Sequence, residues 1–85
     1  MGQKTFDMLM HLASVGYTVK FSKAYERVPA QVLRIELQKG DNHQVELIDI
    51  SLSSKPWTGF TTDDLVSRGL ERARWEFEYE FEREH

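Results

Sequence analysis

At 85 residues the chain has room for one domain (residues 1–85) and one modest core, too little for a buried substrate cavity plus a catalytic scaffold, which favours a non-enzymatic binding module. Hydrophobic, aromatic and charged fractions of 40, 12 and 29% argue against a disordered chain, and the absence of cysteine excludes a disulfide framework or thiolate metal site. Residues 1–60 carry seven Lys or Arg against six Asp or Glu, whereas residues 61–85 carry four against eight, so the net charge of −3 is concentrated at one end.

That bias is opposite to the usual one in nucleic-acid binders, which makes a nucleic-acid partner unlikely. The start, Met1-Gly2-Gln3-Lys4, lacks the apolar run of a signal peptide. No stretch approaches the roughly 18 apolar residues of a membrane span, so a cytoplasmic protein without membrane contact is expected.

Phe6, Leu9, Met10 and Ala13 recur at helical spacing, with Thr5 available as N-cap and Gly16 placed to end the helix. Met8 and Leu12 widen the stripe, which predicts cover on more than one side, from the fold or from a second copy. Tyr17, Val19 and Phe21 then alternate with Thr18, Lys20 and Ser22, the period of a half-buried strand. Residues 22–29 have no period and read as a long hairpin loop with Tyr25 near its tip and Pro29 ending it.

Leu33, Ile35 and Leu37 alternate again, Gly40-Asp41-Asn42 supplies turn residues, and Val45 and Leu47 continue the second arm of a hairpin. The phase then slips, since Ile48, Ile50 and Leu52 fall on the other face; a bulge or a strand covered on both faces is expected. Residues 51–60 are loop by composition, with Trp57 expected to fold back over the sheet, the alternative being an exposed anchor. A second helix is announced by Thr61 at N-cap, Asp64 at N3, Asp63 in the first turn and a Phe60–Leu65 staple.

Val66, Leu70, Ala73, Phe77 and Phe81 extend one apolar stripe towards the end of the chain, leaving Trp75 and Tyr79 off it. From Trp75 to Glu82 aromatics and glutamates alternate, which also suits a strand; the helix is preferred because no turn residue intervenes and glutamate is a good helix former. The predicted fold is therefore α+β, in the order α-β-β-β-α, with a three-stranded antiparallel sheet packed by two helices.

No phosphate loop, nucleophile elbow or paired-histidine metal motif is present. Glu82-Arg83-Glu84-His85 is a single E-x-x-H, too little for a carboxylate metal site, so neither metal nor cofactor is expected. The candidate partner-binding residues are Glu71, Trp75, Glu76, Glu78, Tyr79, Glu80 and Glu82. Their glutamates supply negative charge for a host protein with a basic surface, and the two aromatics supply anchors. A homodimer built on the first helix's stripe and the aromatic tail is the alternative. A third reading is a nucleic-acid patch of Lys20, Lys23, Arg27 and Lys39.

The segment Gly16-Tyr17-Thr18-Val19-Lys20-Phe21-Ser22 after a short amphipathic helix, followed by a long loop and the hairpin over residues 32–50, resembles small accessory proteins of bacteriophages and prophages, including some type II-A anti-CRISPR proteins. The resemblance covers about the first fifty residues. It implies an inhibitor that fills the basic DNA-binding groove of a host nuclease with an acidic surface, by nucleic-acid mimicry, and it assigns no individual residue.

Overall fold

The computed structural model describes residues 2–27 and 30–82, and over residues 24–27 and Ala30 the backbone path alone. The order is α1 (Gln3–Ser14), β1 (Thr18–Arg27), β2 (Ala30–Lys39), β3 (Asn42–Asp49) and α2 (Thr62–Phe77). Short 3-10 turns at Ile50–Ser54 and Pro56–Thr58 precede α2, and a π-helical turn at Glu78–Glu82 follows it. The sheet is an antiparallel meander, β1-β2-β3, so β1 and β3 are both edges. This is the predicted α+β fold.

Alternation along the strands decides which face the helices cover. Val19 pairs with Leu37 and Phe21 with Ile35, while Leu33 pairs with Ile48, so these residues share one face. There Ile35 and Leu37 are fully buried beneath Leu12 of α1 and Val66, Leu70, Ala73 and Phe77 of α2. The other face carries Lys20, Arg34, Glu36, His43, Val45 and Leu47, with Glu36 accepting from Arg34 at 2.8 Å and meeting His43 at 3.2 Å.

The end of α1 follows from its glycine. Gly16 takes φ 96°, and the amides of Gly16 and Tyr17 bond back to the carbonyls of Ala13 and Leu12 at 3.1 and 2.9 Å, closing the helix with a Schellman motif. Its start departs from the expectation. Gly2, not Thr5, is the N-cap, and it offers no side chain.

Asp63 of α2 caps α1 instead, accepting the amides of Lys4 and Thr5 at 3.0 and 2.8 Å, while Thr5 is buried inside the helix and donates to the Asp63 carbonyl. Gly2 is required by this approach, since a Cβ there would lie 2.2 Å from Asp63 Cγ. At α2 the predicted capping box is present, Thr61 accepting from the Asp64 amide and Asp64 from the Thr61 amide. Phe60 and Leu65 line one groove beside β3.

Three further expectations are corrected. Much of residues 22–29 is strand: β1 runs to Arg27 and pairs with β2 as far as Ala30, and a bulge between Lys23 and Tyr25 breaks the alternation that would have revealed it. Tyr25 pairs with Val32 in that ladder rather than forming a tip; its side chain and Pro29 lie outside the described residues. β3 has neither a bulge nor two covered faces, because it ends at Asp49 and Ile50 and Leu52 belong to a 3-10 turn that Asp49 caps. Trp57 does not fold back; it is 81% exposed.

The Asp63 and Asp64 carboxylates tie the two helix starts together, and both titrate low. The ammonium of Lys4, 2.6 Å away, and then the Thr61 amide hold Asp64 down to about 2. The Thr5 hydroxyl and amide lower Asp63 in the same direction. A carboxyl depressed by folding stabilises fully above its ordinary value of about 4 and loses that contribution as pH falls through the folded value. Urea titrations should therefore show stability falling between about pH 4 and about 2, with a shallower fall in Asp63→Asn/Asp64→Asn. An unchanged slope in that variant would show that the clamp is not what acid breaks.

Candidate functional site

The site is built by the far end of α2. Leu70, Ala73 and Phe77 bury one face of the helix, so helical spacing turns Trp75 and Tyr79 outward, where they are 61 and 60% exposed. Together with Glu78 and Glu82 they line a shallow, open concavity of about 460 Å³. The tail is thus helical, not a strand. Its last turn, Glu78–Glu82, widens to π geometry, a local irregularity often found at functional sites.

The carboxylates are held in place rather than free. Glu78 accepts from Arg74 Nε at 2.8 Å, one helical turn back. Glu82 Oε1 accepts from the Tyr17 hydroxyl at 3.1 Å and from Lys39 Nζ at 3.0 Å, and the Lys39 ammonium lies 4.9 Å from the Tyr17 ring centroid. Burial first, and then the neighbouring Glu82 carboxylate, push Tyr17 up to about 12, so its hydroxyl remains a donor at neutral pH. Phe77 meets the Tyr17 ring edge-on at 5.1 Å and lies tilted against Phe81 at 4.9 Å. This aromatic and ionic junction fixes the π turn against the start of β1 and the end of β2.

Of the seven candidates, the structure brings Trp75, Glu78, Tyr79 and Glu82 together. Glu71 turns into a groove between α1 and α2 beside Lys4, Asp7 and His11. Glu76 turns the other way, accepting from Gln44 of β3 at 2.8 Å, and Glu80 is exposed. Four of the seven candidates therefore share one face, whose two acids each have a basic neighbour.

Tyr17, Lys39 and Arg74, which position those acids, were not among the seven partner-binding candidates; only the Arg74–Glu78 spacing was a local signal for one of them. The basic residues do not gather either, since Lys20 and Lys23 face opposite sides of the sheet and Lys39 is engaged by Glu82. The side chain of Arg27, and His85, lie outside the described residues. On α1, Phe6 and Met10 stay exposed, so part of its wide stripe is uncovered.

Among the described residues no group of three or more His, Asp or Glu side chains is placed to hold a metal ion, and no helix is long and apolar enough to cross a membrane. Comparison with protein-family models, with curated proteins and with solved structures finds no match.

Proposed function

We propose that the chain is a non-enzymatic binding module that docks Trp75 and Tyr79, flanked by Glu78 and Glu82, onto a basic surface of a host protein and modulates that protein. The observation that carries this reading is the exposure of two large aromatics, four residues apart, on a helix whose opposite face is fully anchored. Exposed aromatics of this size on a rigid support suit a recognition surface. An aromatic face next to carboxylates suits the guanidinium or ammonium of an Arg or Lys side chain, through cation–π contact and charge-assisted hydrogen bonds.

The ion pairs of Glu78 and Glu82 favour aromatic-led recognition over mimicry of a bare phosphate row. Inhibition of a host nuclease, the role implied by the phage-protein resemblance, is one form this binding would take. The test is capture from a bacterial lysate with wild-type protein and with Trp75→Ala/Tyr79→Ala, followed by affinity measurement on the purified partner. Each aromatic truncation is expected to weaken binding roughly 30-fold or more. Glu71→Gln, on the α1 groove, is expected to change it little. Equal affinity of wild type and double variant would refute the reading.

A further inference from the structure

The two edges of the sheet are unequal. β1 carries a bulge between Lys23 and Tyr25 and presents Lys20 and Lys23, features that discourage edge pairing. β3 pairs with β2 without a break from Asn42 to Asp49 and contains neither proline nor lysine. Gly40, at φ 61°, starts a two-residue turn closed by Lys39 and Asn42. From that closing pair, alternation points the backbone N–H and C=O of His43, Val45 and Leu47 away from β2. Val45 and Leu47 also expose apolar side chains, 37 and 58%, on the uncovered face. Such an edge is a template for another strand.

The flank of α2 above this edge identifies the strand. α2 runs antiparallel to β3: Gln44 reaches Glu76 at 2.8 Å, Arg72 reaches Glu46 at 3.5 Å, and Gly69 sits against Ile48. Two residues along a strand and four along a helix both advance about 6–7 Å, so this register is maintained. On the same flank Arg68, Arg72, Glu76 and Glu80 follow at intervals of four, two cations and then two anions. Such a stripe is complementary to itself when reversed. Its midpoint, between Arg72 and Glu76, lies over Val45, which is also at the centre of β3.

We infer that β3 is a homodimer interface in which two copies pair β3 with β3 antiparallel about a two-fold axis at Val45, forming a six-stranded sheet. Arg68 and Arg72 of each copy then face Glu80 and Glu76 of the other. Gly69 lies close to Ile35 of β2 as well as Ile48 of β3, so α2 is set back from the edge. With paired strands about 4.8 Å apart, the two α2 helices can adopt the usual separation of about 8–10 Å. The pairing also adds a cation: Glu46 and Glu76 lie against each other beside Arg72 of the same chain, and the second copy brings another Arg72 to Glu76. The Trp75–Tyr79 face, on a different side of α2, stays open, so this inference and the proposed function stand or fall separately.

Sedimentation equilibrium of the purified chain tests it, with circular dichroism confirming that each variant is folded. The wild type is expected to show twice the chain mass of 10.0 kDa, with reversible dissociation on dilution. Val45→Lys, which puts two ammonium groups together at the axis, is expected to give monomer. Arg68→Glu should raise the dissociation constant roughly tenfold or more, through two symmetric repulsive pairs, and adding Glu80→Arg should restore it. A wild-type mass of 10.0 kDa up to millimolar concentration would overturn the inference, as would a dimer indifferent to Val45→Lys or a charge swap that fails to rescue.

Discussion

Phe77→Ala is expected to destabilise the protein by about 3–5 kcal/mol, a large share of the roughly 5–15 kcal/mol that a domain of this kind possesses. Phe77 is 1% exposed and is the central ring of the junction, in contact with Tyr17 on one side and Phe81 on the other. Truncation leaves a cavity where α2 passes into the π turn, and it removes the support that lets Glu82 reach Tyr17 and Lys39. The melting temperature should fall by roughly 15 °C or more. Phe77→Leu, which keeps most of the volume, should cost much less. A loss below about 1 kcal/mol for Phe77→Ala would mean that the junction is not part of the cooperative core.

Gly69→Ala is expected to destabilise although alanine is the better helix former by about 1 kcal/mol. The sign is therefore diagnostic. A Cβ at Gly69 would lie 1.6 Å from Ile48 Cδ1, 2.8 Å from Ile48 Cγ1 and 3.1 Å from Ile35 Cδ1, so α2 approaches the sheet only because this residue has no side chain. Overpacking of this kind costs about 1–3 kcal/mol, and Ile48→Val, which deletes the clashing methyl, should recover most of it. Chemical denaturation of the two single variants and the double variant checks the coupling. A stabilised Gly69→Ala would contradict the observed seating of α2 on β3.

What could be read before the fold was known were the features decided by near neighbours. The Thr61–Asp64 box and the Gly16 stop need only a few residues of chain, and both stand as expected. Thr5 has the right residue type for an N-cap, but its environment is set by Asp63, 58 residues away, which periodicity cannot reveal. The second half of β1 was hidden because its bulge shifts the alternation by one residue, and the apparent slip in β3 arose from reading a 3-10 turn as more strand.

The site divides in the same way. Helical spacing placed Trp75 and Tyr79 off the buried stripe, and they are exposed. Which glutamates join them depends on the neighbours of α2: Arg74 and Lys39 hold Glu78 and Glu82 on that face, whereas Gln44 draws Glu76 towards β3. Gly69 did carry a legible signal, since an isolated glycine within a helical pattern marks close packing, but its counterparts Ile48 and Ile35 emerge only from the sheet register.

The emission of Trp75 measures occupancy of the proposed face directly. In a Trp57→Phe background Trp75 is the only tryptophan. Titration with a partner captured by the wild-type chain should shift that emission to the blue, saturate at the stoichiometry of the complex and reverse as salt is raised. A complex that forms with the emission of Trp75 unchanged would place the partner elsewhere and contradict the account.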